Sequence, residues 1–337
     1  MIESKIENKR NFKNWLPGVI ISAVAIFILV RLAKWEDLTL AFAAIKPFNL
    51  ILGVLITLLW LLVRAFALRI LLDKKVTICE AFKAINIGYL LNNLFPLRAG
   101  EFGKALILGN DSGLGMLHVL STIVIERAFD LVFAAGLILS TLPLALGMDW
   151  AKPVAYGTLI LVVLGLVVLF LIARNKETIH KWVDKLSESQ DFVKNHISPR
   201  MDSIFNGLQP LTQPRLFLLS LFWIGVSWFL GVVLYYEMLL PIAPEAPFWW
   251  GVFTDAVLAL GIAVPSAPAA LGVFEASIVG GLSLLGVSRS AALAYALLMH
   301  ILQFVVTGIL GFIGLAQEKK SLGNLFEEIR LKRISEK

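Results

Sequence analysis

The chain has 337 residues, of which 58% are hydrophobic and only 16% are charged. Because a soluble domain usually carries about 25% charged residues, this composition excludes a water-soluble globule and indicates an integral membrane protein. The net charge of +6 is typical of basic loops that face anionic lipid in such a chain, and we expect no nucleic-acid partner. With one cysteine and four well-separated histidines, we expect no disulfide framework, no metal site and no cofactor.

Apolar stretches long enough to cross a bilayer recur along the chain, since a transmembrane helix needs about 20 such residues. The first follows a basic N-terminus that lacks a small-residue cleavage site, so we expect a retained span and not a signal peptide. The fold predicted is an all-α polytopic membrane protein with six full transmembrane helices and two broken or re-entrant helical hairpins. The full spans are expected at 16–33, 50–72, 118–146, 153–173, 215–240 and 290–316.

Two further apolar regions, 81–109 and 248–287, are interrupted by proline, glycine and charged residues, which is typical of broken helices. Lysine and arginine residues are concentrated at the N-terminus, in residues 73–80 and 174–215, and in the C-terminal tail. This distribution predicts a multi-pass protein of the cytoplasmic membrane with both termini inside. The first broken region then opens to the cytoplasm and the second to the outer side, each as a re-entrant hairpin or as a pair of spans.

The two broken regions share a short motif. Residues 96–102 and 268–274 both read Pro-x-x-x-Gly-x-Phe, and each has a glutamate beside the phenylalanine. Three matched positions are compatible with chance and also with an inverted repeat, which in transporters places the site near the bilayer midplane. Hinge or gating positions are predicted at Pro96, Gly100, Pro268 and Gly272.

Residues 1–316 are expected to form one transmembrane domain, and 317–337 a basic cytoplasmic tail. The domain includes a cytoplasmic segment, 174–214, in which apolar residues recur at helical spacing among basic ones. That pattern favours a pair of amphipathic helices lying on the lipid interface.

Charged residues inside apolar segments are candidate functional residues, because a charge at the bilayer centre costs about 3 kcal/mol. Arg98, Glu101 and Lys104 follow one another on a single helical face, with Asn93 before them. A helix that begins after Pro96 would present free N–H groups to an anion, and an arginine fork matches phosphate oxygens. A lipid headgroup phosphate site and an internal salt-bridge cluster both explain this set.

Glu126, Arg127 and Asp130 form a second set within the 118–146 span. Glu126 and Asp130 are like charges one turn apart, so a cation from another helix should face them. Arg64 and Arg69 are natural partners, although Arg69 can also extend to the interface. A structural ion network and a ligand site remain equally open here.

The second broken region carries two further acids. Glu275 follows the break at Pro268 and Gly272, which favours a functional role, whereas a structural role is preferred for Asp255. His300 and Gln303 lie one helical turn apart on the last span, and packing with a hydrogen bond is preferred to a proton relay.

Three ordered motifs carry a family resemblance: Asn93-Leu-Phe-Pro-Leu-Arg-Ala-Gly-Glu-Phe-Gly-Lys104, Glu126-Arg-Ala-Phe-Asp130 and Pro268-Ala-Ala-Leu-Gly-Val-Phe-Glu275. They resemble the membrane domain of bacterial lysylphosphatidylglycerol synthases, which also occurs alone in a broad flippase-like family. The resemblance implies a polytopic helical fold and movement of aminoacylated phospholipids or related lipids between leaflets. Many members of that family have Gly-Gly where this chain has Ala269-Ala270, so we expect a stiffer outer segment. Lys104 replaces a frequent arginine and lacks its fork.

The function predicted is a lipid translocase, or flippase, and not an enzyme, since the sequence contains no aminoacyl-transferase domain, nucleophile elbow or Walker loop. Its headgroup site would comprise Arg64, Asn93, Arg98, Glu101, Lys104, Glu126, Arg127, Asp130 and Glu275. The partners expected are membrane lipids (anionic, aminoacylated or polyprenyl-phosphate-linked), with a homo-oligomer or an envelope-synthesis enzyme as further possibilities. The alternatives are a lipid-binding accessory protein of envelope glycosylation and a secondary transporter of a small anion.

Overall fold

The computed structural model describes residues 36, 39, 42–95, 99–146, 151–187, 190, 193, 197–263 and 266–318. In these ranges the regular elements are all helical, which confirms the predicted all-α class. The α-helices are Pro47–Leu71 (α1), Ile78–Leu94 (α2), Ala99–Asp111 (α3), Met116–Leu146 (α4), Ala151–Arg174 (α5), Lys176–Ser187 (α6), Met201–Leu208 (α7), Pro214–Leu239 (α8), Trp249–Gly261 (α9), Val273–Leu284 (α10) and Arg289–Gln317 (α11).

Within the part of the chain that is described, four helices are long and apolar enough to cross a membrane: α1, α4, α8 and α11. They coincide with four of the predicted spans. The predicted span 153–173 lies in α5, whose stretch Val163–Arg174 is a shorter apolar helix by the same measure. The predicted span 16–33 and nearly all of the 317–337 tail lie outside the described residues. A multi-pass membrane protein follows, and the number of six spans stays a prediction.

Each broken region forms a pair of short helices. The first region gives α2 and α3, with 17 and 13 residues, and the second gives α9 and α10, with 13 and 12 residues. At 1.5 Å per residue these helices measure about 18–26 Å, which is shorter than the hydrocarbon core of about 30 Å. The lengths agree with broken helices, whereas the faces on which the hairpins enter and leave stay predictions.

Local chemistry explains where these helices begin. Thr77 accepts a hydrogen bond from the Glu80 N–H at 3.2 Å, and the Glu80 carboxylate accepts one from the Thr77 N–H at 2.7 Å, so α2 begins at a capping box. The Gly100 N–H in the first turn of α3 donates to Asn92 Oδ1 at 2.8 Å. Pro96 and Arg98, which precede α3, lie outside the described residues. The first hairpin is therefore closed by a side chain of its own first helix.

Gly100 is required by close packing between the two helices of the first hairpin. A Cβ atom at this position would lie 1.8 Å from the Gly88 carbonyl oxygen of α2. Its φ is not in the left-handed region. The predicted hinge position is thus a point of close helix contact in this conformation.

The break in the second region is built differently. A short 3-10 turn, Pro268–Ala270, precedes α10, and Ala269 and Ala270 both have φ of +56°. Gly272 follows with φ of +82°. A side chain disfavours this left-handed conformation by about 1–2 kcal/mol per residue, whereas glycine adopts it freely. The outer segment, for which Ala269 and Ala270 predict stiffness, therefore has backbone strain at these two residues.

The helices α1–α4 and α8–α11 have the same pattern of neighbours. Within each set every helix packs on the next one, and the first helices of the two sets, α1 and α8, pack on each other. The second helix of each set packs on the fourth helix of the other, so that α2 contacts α11 and α9 contacts α4. The shared motif stands at the entry to the third helix in both sets, α3 and α10. We call these sets the first half and the second half.

Helices α5, α6 and α7 connect the two halves. In α7, Met201, Phe205 and Leu208 are buried, and the helix packs on α4. The apolar face of α7 thus meets protein, and the lipid-interface position of segment 174–214 stays a prediction. On α6, by contrast, Trp182 is 72% exposed. Lys176 at the start of α6 donates to Asp202 at 2.8 Å, which lowers the pKa of that exposed carboxyl.

Candidate functional site: two polar clusters in an apolar helical bundle

Six ionisable side chains from α1, α3 and α4 meet in the first half. We call them the first-half cluster, and its members are Arg64, Glu101, Lys104, Glu126, Arg127 and Asp130. Every one of them forms at least one ion pair with another member. Three are cations and three are carboxylates, so the cluster is electrically neutral as a unit.

Arg64 is the cation that faces the two like charges on α4. Its Nη2 lies 2.5 Å from Glu126 Oε1, and its Nη1 lies 2.7 Å from Asp130 Oδ1. A further Nη2 hydrogen bond reaches Asp130 Oδ2 at 2.9 Å. The guanidinium group thus bridges two carboxylates one turn apart on α4. Arg64 is the cation that was predicted to face the like charges of Glu126 and Asp130. Arg69, the other candidate, donates its Nε hydrogen to the Val76 carbonyl at 3.0 Å instead.

Lys104 links α3 to α4 through two carboxylates. Its ammonium lies 3.0 Å from Glu126 Oε2 and 3.2 Å from Glu101 Oε2, the latter being the expected i,i+3 pair. Glu126 and Lys104 are both buried. Charges this well buried are tolerated when they are paired and hydrogen-bonded, and removing one partner leaves the other at high cost.

Arg127 occupies the open edge of the cluster. It pairs with Glu126 at 3.1 Å, with Asp130 at 3.2 Å and, through Nε, with Glu101 at 3.6 Å. Its side chain is 34% exposed, against 4% for Arg64 and 6% for Lys104. Arg127 Nε and Glu101 Oε2 have no hydrogen-bond partner among the described residues. Both atoms are themselves buried, so the accessible part of the cluster is the rest of the Arg127 side chain.

One side chain of the second half reaches the cluster. Trp228 of α8 donates its indole N–H to Asp130 Oδ1 at 3.0 Å. Sequence reasoning missed this residue, because a tryptophan in a continuous apolar span gives no sign of a polar partner on a distant helix.

The second-half cluster consists of Glu275, His300, Gln303, Tyr235 and Tyr295. Glu275 Oε1 lies 2.6 Å from His300 Nδ1, and its Oε2 accepts the Gly272 N–H at 2.7 Å. Gln303 donates to the Tyr235 hydroxyl at 2.7 Å, and the Tyr295 hydroxyl donates to the Tyr235 carbonyl at 2.6 Å. Glu275 thus caps the first turn of α10 and ties it to α11.

The predicted site residues do not all come together. Arg64, Glu101, Lys104, Glu126, Arg127 and Asp130 form one cluster, whereas no ion pair among the described residues joins Glu275 to them. Asn93 donates to Thr307 Oγ1 at 3.1 Å and so connects α2 to α11. Arg98 lies outside the described residues. Over the described chain there is no group of three histidine, cysteine, aspartate or glutamate side chains arranged to hold a metal ion.

Comparisons with known proteins agree with the resemblance seen in the sequence. The family described as "Lysylphosphatidylglycerol synthase TM region" matches residues 15–311. A UPF0104 membrane protein of Methanocaldococcus jannaschii is 25% identical over 228 residues, which cover 66% of this chain and 92% of that protein. A UPF0104 membrane protein of Methanothermobacter thermautotrophicus is 27% identical over 266 residues, covering 74% and 76% respectively. No solved structure matches the chain. The match over nearly the whole length shows that this chain belongs to the family of lysylphosphatidylglycerol synthase transmembrane regions.

Proposed function

We propose that this protein moves a polar-headgroup phospholipid, or a related lipid, between the two leaflets of the cytoplasmic membrane. Membership in the family supports a role connected with membrane lipids. The observation that carries the proposal is the open edge of the first-half cluster, where Arg127 is 34% exposed while the other two cations of the cluster are buried.

The chemistry of this edge suits a zwitterionic or anionic headgroup. Arg127, the most exposed cation of the cluster, would exchange one of its carboxylate partners for a phosphate oxygen in a charge-assisted hydrogen bond, and the carboxylate released would accept from an amine or hydroxyl of the same headgroup. Lys104 and Arg64 remain paired with Glu126 and Asp130 while Arg127 turns toward the lipid, so each of these two carboxylates keeps a cation. Arg98, at the predicted entry to α3, would supply a second phosphate contact. The acyl chains would stay in the bilayer.

The arrangement of the two halves supports movement between leaflets. Because α2 packs on α11 and α9 packs on α4, a rocking of one half against the other would move both broken hairpins together. We propose that the halves are an inverted repeat, with both termini inside, and that the hairpins gate the headgroup path from opposite sides. The protein would act without chemistry of its own and with membrane lipids as its partners.

Translocation can be tested with the full chain in liposomes that contain fluorescent phosphatidylglycerol or its lysyl ester. Bleaching the label from outside reports the fraction that has crossed from the inner leaflet. We expect the wild type to accelerate crossing, and Arg127→Gln and Arg98→Ala to reduce its rate about tenfold or more, as loss of a charged hydrogen bond predicts. Arg69→Gln is the matched control, because its Nε bond to the Val76 carbonyl lies outside the cluster.

Wild-type crossing equal to that of empty liposomes would contradict a translocase. Selective lipid binding without crossing would then favour the lipid-binding accessory protein. Movement of a small anion with no lipid dependence would favour the secondary transporter.

A further inference from the structure

One side of the helix α6 is held by α7. The Lys176 ammonium lies 2.8 Å from Asp202, and the ring of His180 lies 5.4 Å from the ring of Phe205, measured between centroids. Lys176 and His180 are four residues apart, so they share one face of α6. Trp182 lies on the other side of the helix and is 72% exposed. The contacts with α7 therefore leave an aromatic side chain turned outward.

The outward side of α6 combines apolar and basic residues. Leu186, one turn after Trp182, is exposed as well. Lys181 and Lys185 are also exposed and lie beside this pair, again one turn apart. Glu177 is about 140° away from Trp182 around the helix, at 3.6 residues per turn. We call Lys181, Trp182, Lys185 and Leu186 the open face. An apolar stripe flanked by lysines is typical of helices that bind anionic membrane surfaces.

The open face continues a side of α5 that is apolar and exposed. Asn175 alone separates the two helices, and the i→i−4 hydrogen bonds carry on across it, from its N–H to the Leu171 carbonyl at 3.0 Å and from the Ile179 N–H to its carbonyl at 3.1 Å. Trp182 therefore follows Leu164 by about five turns, on the same side of the helical path. The exposed apolar residues on this side of α5 include Ile160, Val163, Leu164, Val167, Val168 and Leu171.

This continuity indicates what the open face meets. The helix α5 contains the predicted span 153–173, and an exposed apolar face of a span lies against acyl chains. The open face follows it beyond the end of the apolar stretch, where tryptophan and lysine side chains are favoured among lipid headgroups.

The helix α7 is itself fixed, so α6 keeps this orientation. A Cβ atom on Gly207 would lie 2.3 Å from the His118 carbonyl oxygen of α4, and the Thr122 hydroxyl donates to the Gly207 carbonyl at 3.2 Å. Because α6 rests on α7 and α7 packs tightly on α4, turning Trp182 toward the bundle would break the contacts of its opposite side. The open face is therefore available to a partner outside the bundle.

We propose that the open face is a docking surface for anionic phospholipids of the leaflet at which α5 ends. The indole ring of Trp182 and the Leu186 side chain lie among the headgroups and upper acyl chains, and the two lysines bind lipid phosphates. Because α5, α6 and α7 connect the two halves, docking attaches this connection to the membrane surface. The inference goes beyond the translocase function and does not depend on it.

The test measures the surroundings of a spin label on the full chain by electron paramagnetic resonance. The label is attached to Thr178→Cys in a Cys79→Ser background, because Thr178 is exposed and lies one turn before Trp182. In vesicles of phosphatidylcholine and phosphatidylglycerol, we expect this label to be more accessible to oxygen, which concentrates in lipid, than to a water-soluble nickel reagent. The matched control is Glu177→Cys, an exposed position toward the other side of the same helix, which should show the reverse.

The label at Thr178 also distinguishes the other occupants of the open face. Access to nickel as high as at Glu177 would show that the face meets water, and access to neither reagent would show that protein covers it. Either result would overturn the inference. Neither measurement requires lipid to cross the membrane, so the translocase proposal is judged separately.

The anionic preference is tested with the same label in vesicles of phosphatidylcholine alone. We expect the label to shift toward water when phosphatidylglycerol is left out. The double variant Lys181→Gln/Lys185→Gln should lose this difference between the two vesicles. A matched double variant, Lys74→Gln/Lys75→Gln, removes two exposed lysines between α1 and α2 and should keep the difference. Equal label depth in both vesicles for the parent protein, or a difference that survives in Lys181→Gln/Lys185→Gln, would overturn the inference.

Discussion

The two halves share one pattern of helix contacts, but they place very different chemistry in it. The first half joins three cations and three carboxylates through ion pairs of 2.5–3.6 Å. The second half holds two hydrogen-bonded groups, one of Glu275 with His300 and one of Gln303 with Tyr235 and Tyr295. An apolar bundle tolerates a dense set of charges only when their signs balance, and the first half achieves this balance within itself.

The difference between an ion-pair network and a set of hydrogen bonds indicates which half can exchange partners with a ligand. A neutral ion network can release one cation to a headgroup while its other members stay paired. The second-half cluster has little to release, because Glu275 holds the first turn of α10 and His300 stacks on Phe274 at 4.3 Å. In the proposed function, headgroup binding therefore belongs to the first half, whereas Glu275 of the second half supports the strained break.

The largest expected effect comes from the centre of the first-half cluster. Arg64→Ala removes a buried cation from the buried Glu126 and the partly buried Asp130, and breaking a buried pair in this way costs about 3–5 kcal/mol. Thermal unfolding in mild detergent measures the loss. Arg69→Ala removes an arginine from the same helix but only one hydrogen bond to a carbonyl, so about 1 kcal/mol is expected. Equal losses in the two variants would contradict the role of Arg64.

Glu126 of the first half and Glu275 of the second should also differ in how much stability is lost when each is replaced by glutamine. Glu126 meets three cations, whereas Glu275 meets one histidine and one backbone N–H. Glu126→Gln should therefore cost about 3 kcal/mol and Glu275→Gln about 1 kcal/mol, because an amide oxygen can still accept one of the bonds of Glu275. Denaturant titration of the purified variants compares them. A larger loss in Glu275→Gln would reverse the assignment of the two halves.

A smaller effect tests the two hairpins. Gly100→Ala places a Cβ atom 1.8 Å from the Gly88 carbonyl oxygen, and such overpacking costs about 1–3 kcal/mol. Gly280→Ala in α10 has no heavy atom within 4 Å of the new Cβ, so it should keep or slightly raise stability. Unfolding midpoints of both variants are the measurement. Tolerance of Gly100→Ala would show that the first hairpin is looser than its packing indicates.

The smallest effect concerns the strain before α10. Ala270→Gly removes a side chain from a left-handed residue, and the relief is partly offset by the greater freedom of the unfolded chain. A net gain of about 0.5 kcal/mol is expected in thermal unfolding. Ala276→Gly, in the interior of α10, is the control and should lose about 1 kcal/mol. A loss in Ala270→Gly as large as that of the control would exclude strain at Ala270.

Helical spacing predicts much of the first-half cluster from the sequence. The i,i+3 pair of Glu101 and Lys104, and the need for a cation opposite Glu126 and Asp130, follow from the period of the helix alone. The sequence also names Arg64 as a partner, because few cations lie inside the apolar spans. The positions of the two breaks likewise follow from proline and glycine.

Contacts between distant helices are what the sequence does not reveal. Trp228 and Tyr235 lie in an unbroken apolar span, so nothing in their surroundings marks them as partners of Asp130 and Gln303. The buried face of α7 has the same period as a face that lies on lipid. The sequence places Glu275 beside a break, as the structure does. Only the folded chain shows that Glu275 contacts His300 and that, among the described residues, no ion pair joins it to the first-half cluster.

The most direct test of headgroup binding by the first half is native mass spectrometry of the protein purified in mild detergent. Wild type and Arg69→Gln should retain one anionic or aminoacylated lipid class, and Arg127→Gln should lose it while it keeps the helical circular dichroism of the folded protein. Retention of the same lipid by all three proteins, or of no selected lipid by the wild type, would contradict the assignment of Arg127 and the first-half cluster to the headgroup.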